Sequence, residues 1–261
     1  MSTPEAATRR LADLTWPEVA DLAPRAVLVV PLGATEQHGP HLPLSVDTDV
    51  AVALAGRLTA ARSHTLLAPA VPYGSSGEHA GFPGTLSVGQ RAFELLVIEL
   101  VRSADAFAGV LLVCGHGGNV VPLCRAVGRL RAEGRRVHSW LPSGRGDDSH
   151  AGRTETSAML ALRPDAVLMG AAEPGETTPL PELMPLLRTA GVVGVSPNGV
   201  LGDPTGASAT EGEELVARWA ADLVKAFDDH FGDLCDRGSA RGYTSVVMSH
   251  IETVVGVPNG A

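Results

Sequence analysis

The stretch GVLLVCGHGGNVVPLCRAVGRLRAEG, residues 109–134, decides the fold class. Its first six residues form a continuous apolar run, as strands covered on both faces do. Gly115, His116, Gly117 and Gly118 break that run. A helical pattern follows over 120–132 and stops at Gly134, a residue suited to the left-handed position that ends a helix. Strand, short loop and helix in this order are the building unit of a parallel sheet flanked by helices.

Reading outward, the unit recurs. Residues 26–32 (AVLVVPL) form a second valine-rich run, 66–71 a weaker strand, and 137–141 and 191–195 two more. Helices are predicted over about 47–62, after the S-x-x-Q capping box of Ser87 and Gln90, over 152–162 before Pro164, and from the T-x-x-E box of Thr210 and Glu213 to about Asp229. The expected architecture is a three-layer α/β/α fold around a mostly parallel sheet. It is read as one domain over 1–261, with 1–20 and 232–261 as terminal extensions.

Composition narrows the function. A chain of 261 residues suffices for one large α/β domain. A net charge of −9 without blocks of like charge points away from nucleic acid and anionic membranes as partners. Three cysteines without C-x-x-C spacing suit a reducing compartment better than a disulfide framework. No apolar run approaches membrane-spanning length, and the first 25 residues carry no apolar leader segment. A soluble cytoplasmic protein is expected.

In open α/β sheets, ligands bind beyond the carboxyl ends of the strands. Glu36 and His38 follow the run at 26–32, and locally extended backbone would turn both to one side with Gln37 facing away. Asp47 stands near the start of the next helix, and His116 directly follows the run at 109–114. Two strand ends thus deliver metal-type ligands to one rim. Singly, each has a plainer reading: His116 as a structural histidine, Asp47 as a helix N-cap, Glu36 as a solvated acid. Their joint placement favours a metal site. In SHAGRTETSAML (149–160), spacing alone reads Glu155 as a partner of the helix dipole and His150 as an exposed loop residue. Other chemistries lack their motifs. The G-x-G-x-x-G pattern fails at Val120, GSSGE at 74–78 is not G-x-S-x-G, and no Gly-Lys-Ser/Thr phosphate loop occurs.

Four motifs, GATEQHGPHLPLSVDTD (33–49), YGSSGEHAGFPGT (73–85), GHGGN (115–119) and HAGRTETS (150–157), together resemble the creatininase family of metal-dependent amidohydrolases. The resemblance implies a mostly parallel α/β fold and two divalent cations per subunit, zinc, iron or manganese. It implies that Glu36 and His38 bind different ions, that Asp47 bridges them, and that His116 and Glu155 complete the set. Three carboxylates then face four positive charges. His150 matches a histidine near the reacting centre, and homo-oligomers, often hexamers, are usual in the family. Glu78, His79 and Phe82, on a glycine-rich loop, are read either as substrate-pocket residues or as structural ones. One departure stands out. Creatininase has a carboxylate two residues after the equivalent of His116, where this chain has Gly118. That weakens a creatinine-hydrolysing reading. The stretch at 179–215 resembles a peptidase branch that trims a modified ribosomal precursor peptide. The implied substrate ends in a decarboxylated, cross-linked Val-Tyr, released by cleavage before the valine. The alternatives are a hydrolase of small cyclic amides or formamides (creatininase or formamidopyrimidine deformylase type) and a non-catalytic metal-binding scaffold on the same fold.

Overall fold

The computed structural model describes residues 9–143 and 148–232. The expected tail at 232–261 falls almost wholly outside these residues. Four strands, β1 (Val27–Leu32), β2 (Thr65–Leu67), β3 (Gly109–Cys114) and β4 (Val137–Trp140), pair in the order β2-β1-β3-β4, all parallel. Seven α-helices surround them among the described residues: α1 (Trp16–Leu22), α2 (Val46–Ala61), α3 (Gly89–Ser103), α4 (Val120–Ala132), α5 (Arg153–Leu162), α6 (Leu180–Val195) and α7 (Ala209–Phe231).

The alternation of side chains along a strand builds two cores from one sheet. Val27 and Val29 of β1, with Leu111 and Val113 of β3, pack against Leu54 and Leu58 of α2, Met159 of α5 and Phe227 of α7. Leu28, Val30 and Leu32, with Val110 and Leu112, pack against Phe93 and Val97 of α3 and Leu123 and Leu130 of α4. Every residue of β1 and β3 is buried, which is why both read as unbroken apolar runs. The result is the expected three-layer α/β/α arrangement. No helix among the described residues is long and apolar enough to cross a membrane.

Three local readings are corrected. Residues 191–195 are the end of α6, not a strand. The run GVVGV has β-type composition, but Val192 packs with Leu183 and Leu201 in a small cluster, and Gly191 (φ 65°) kinks the helix to bring it there. The Ser87 box does not form. α3 begins at Gly89 with no side-chain cap, and the Ser87 hydroxyl instead accepts from the backbone N–H groups of Ser76 and Gly89. The second box is displaced: Ser208, not Thr210, caps α7, accepting from the Glu211 N–H at 3.2 Å.

The strand order supplies the geometric reason for a site. From β1 the chain moves to β2 on one side, and later to β3 on the other. The exits of β1 and β3 therefore flank the point where the topology reverses, the place at which open α/β sheets bind their ligands.

Candidate metal centre and active site

Glu36 and His38 leave the end of β1, and His116 leaves the end of β3. Asp47 lies in the first turn of α2, and Glu155 in the first turn of α5. The strand exits and α2 meet with almost no space between them. A Cβ at position 115 would overlap the Asp47 carbonyl oxygen, so only glycine lets β3 pass under α2 at this point. That contact sets Asp47 beside His116.

All of these side chains converge. The Asp47 carboxylate divides between two histidines: Oδ1 lies 3.4 Å from His38 Nε2, and Oδ2 lies 3.2 Å from His116 Nδ1. Glu36 Oε1 lies 3.2 Å from His116 Nδ1, and Glu155 Oε2 lies 3.8 Å from His38 Nε2. Two groups with metal-binding spacing result, Glu36–Asp47–His116 and His38–Asp47–Glu155, sharing Asp47. A third, Glu36–His38–His150, overlaps them.

The donor set fits cations. Glu36 Oε1 and Oε2, His38 Nε2 and Asp47 Oδ2 are buried without any hydrogen-bond partner. Unsatisfied buried polar atoms are costly, and four at one point is a pattern a cation resolves. The histidines are turned for it. His38 Nδ1–H donates to the Glu36 carbonyl (3.1 Å), and His116 Nε2–H donates to the Ser75 carbonyl (3.0 Å). Each bond leaves the other ring nitrogen with its lone pair inward, as backbone acceptors behind metal-ligating histidines do.

The clustered groups shift one another's proton affinities. Burial works against a charged His38, but Asp47, with Glu155 and Glu36, overrides it and raises its pKa to about 10. His116 is likewise raised well above its usual value, burial being outweighed by Asp47 and Glu36. Burial opposes ionisation of Asp47, yet the two histidines hold it far below the usual carboxylate range. Burial lifts Glu155 to about 7.

Two more histidines close the cage. His150 Nδ1 lies 3.8 Å and His79 Nε2 3.4 Å from Glu36 Oε1. Burial drives His150 well below its ordinary range and His79 down to about 3, with neighbouring histidines adding to both effects. His150 is thus no exposed loop residue: a bridge to Leu201 holds its backbone, and it is buried. Glu155 keeps part of its helix-terminal role, since Oε2 also accepts the Ala151 N–H (2.6 Å).

The remaining loop residues divide. Glu78 Oε1 approaches the outer side of His116, 3.9 Å from Nε2, and burial raises its pKa. A Cβ at position 118 would overlap Glu78 Oε1 and the Ser75 carbonyl, so Gly118 leaves the room in which Ser75 holds His116. Phe82 packs against the Leu183–Val192–Leu201 cluster. Sequence reasoning missed Gln37. It is buried and bonded to the site histidines rather than turned away, and strand-like alternation gave no signal for it. A polar side chain flanked by two ligand types was the one available cue.

Comparison with known proteins is consistent with this geometry. The creatininase (creatinine amidohydrolase) family pattern matches residues 12–227. The chain belongs to the creatininase family. It is 49% identical over 209 residues to the mycofactocin precursor peptide peptidase of Mycolicibacterium smegmatis, covering 76% of this chain and 84% of that protein. Among solved structures, a creatinine amidohydrolase (creatininase) superimposes with a TM-score of 0.70 at 27% identity, over 87% of this chain and 99% of that one. A creatininase variant of the Zn–Zn type also gives 0.70, at 26% identity, over 86% and 98%. The creatininase-type fold is therefore established, and with it an amidohydrolase, an enzyme acting on amide bonds.

Proposed function

We propose that this creatininase-family chain is a dinuclear metallopeptidase that releases the modified Val-Tyr-derived end of the mycofactocin precursor peptide. The carrying observation is the divided Asp47 carboxylate, one oxygen toward each of two ligand groups. On this reading Glu36, Asp47 and His116 hold one divalent cation, and His38, Asp47 and Glu155 hold the other. Zinc, manganese or iron suits this mixed oxygen and nitrogen set better than a thiolate-preferring metal. Related structures include zinc and manganese creatininases. Bound there, a divalent cation supplies a Lewis acid and brings a water's pKa toward about 7.

The protein's own groups do the rest. Glu36 and Glu155, together with the shared aspartate, would balance three of the four cation charges. His79 and His150 border Glu36 where the scissile amide would lie, and His150 is placed to take up or pass on a proton at Nδ1. Glu78, partly exposed beside His116, lines the approach. The peptide substrate is favoured over a small cyclic amide by the extent of similarity to the peptidase and by the glycine at position 118.

The test is mass spectrometry of modified and unmodified precursor peptide, alongside creatinine and a formamide, after incubation with the zinc-, manganese- or iron-loaded enzyme. Cleavage of the modified peptide before valine is expected. Turnover of creatinine or the formamide with an intact peptide would overturn the reading.

A further inference from the structure

Gln37 sits between two site residues and touches neither inner donor set, yet its side chain is fully engaged. Its Oε1 accepts the Gly39 N–H at 2.8 Å. Its Nε2 has three neighbours: His79 Nδ1 at 2.9 Å, Gly199 O at 3.0 Å and His150 Nε2 at 3.0 Å. The amide orientation is fixed twice over, since a backbone N–H can only donate and a carbonyl can only accept.

An amide nitrogen has two hydrogens for three neighbours, and the third must be settled by chemistry. His150 Nε2 also lies 2.8 Å from the Gln37 carbonyl oxygen, which can only accept. If that nitrogen carries the ring's hydrogen and donates to the carbonyl, both amide hydrogens remain free for His79 Nδ1 and Gly199 O. His79 Nδ1, the Gly199 carbonyl and the Gln37 carbonyl then each receive a donor. With both rings neutral, any other assignment leaves His79 Nδ1, the Gly199 carbonyl or the Gln37 carbonyl without a donor.

The consequences run inward. His79 Nδ1, receiving a hydrogen bond, holds a lone pair, so its hydrogen is on Nε2, the atom 3.4 Å from Glu36 Oε1. His150, with its hydrogen on Nε2, turns a lone pair at Nδ1 toward the same oxygen, 3.8 Å away. Two histidines bordering one carboxylate are thus made opposite in kind, one a donor and one an acceptor.

We propose that Gln37 is a positioning residue whose carboxamide fixes His79 as a hydrogen-bond donor facing Glu36, opposite His150, which faces it as an acceptor. The role refines the metallopeptidase reading and rests on it for its catalytic consequence alone. His79 then turns its ring N–H toward Glu36 Oε1, and His150 is the ring free to receive a proton.

The experiment is long-range proton–nitrogen correlation spectroscopy of 15N-histidine protein loaded with zinc, which reads each ring's tautomer without substrate. Wild-type His79 and His150 are both expected as Nε2–H. In Gln37→Met, His79 is expected to leave that pattern while His150, held by the backbone carbonyl, keeps it. Turnover should fall about tenfold, with zinc content unchanged and KM within about twofold. An Nδ1–H tautomer at either wild-type ring overturns the proposal, as does a Gln37→Met enzyme with unmoved spectrum and kcat. If Gln37→Met does not fold, the wild-type spectrum decides alone. Failure of the wild-type enzyme to cleave any peptide leaves this spectrum readable and counts against the substrate reading only.

Discussion

Phe227 and Asp47 are buried almost equally, 0% and 2% exposed, and both pack near the same strands. Their surroundings obey opposite rules. Phe227 lies among apolar groups of α2, β1 and α7 and leaves nothing unsatisfied. Asp47 lies among acids and histidines, and one of its oxygens has no hydrogen-bond partner. The first region is built for the folded state alone. The second carries unmet polar atoms, which on the proposed reading a cation would satisfy.

That contrast can be broken or sharpened by substitution. The largest effect is expected from Asp47→Ala, which removes the group both ligand sets share. Metal analysis should find both sites emptied, and kcat/KM should fall by roughly a thousandfold or more. Full metal content in this variant would end the shared-ligand role. Phe227→Ala should do the converse, losing about 3–5 kcal/mol in denaturant unfolding while binding metal with unchanged stoichiometry at low temperature. In calorimetry without metal, Asp47→Ala should melt nearer to the wild type than Phe227→Ala does. The reverse ranking would mean that the cage, not the apolar layer, holds this end of the sheet.

A smaller effect separates the regions by pH. In the metal-free protein Asp47, Glu155 and Glu36 raise His38 to about 10 against the effect of burial, so below that value a metal must displace a proton to bind. Metal affinity should therefore rise with pH, by about tenfold per unit for each proton released, and titration calorimetry in buffers of different ionisation enthalpy should detect the release. A flat profile between about pH 6 and 9 would show that the inward nitrogens are not ligands. The Phe227 layer offers no group of metal-ligand spacing among the described residues, and unfolding of the metal-free protein reports on it separately.

The sequence was legible where one physical rule acted alone. β3 and α4 lie where their residues place them, because burial on both faces and a stripe of apolar side chains each leave an unmistakable period. Glu36, His38 and His116 stand out by the strand-end rule, and Asp47 by its place near the next helix start, before any family is considered. Glu155 and His150 were not: helix-terminal chemistry explains them equally well, and resemblance to known motifs was needed to place them at the site. The segment at 191–195 misled because five small or branched residues fit either a strand or a helix, and a distant contact chose. Gln37 was invisible because its partners, His79, His150 and Gly199, lie 42 to 162 positions away, and no local pattern encodes them.

The tight passage of β3 beneath α2 at Gly115 has a bearing on metal exchange. Because main chain presses on main chain there, Asp47 is seated by the fold itself rather than drawn into place by its guest. On the proposed reading, a cation would meet an aspartate already in place, and which element binds would be a matter of donor chemistry and supply.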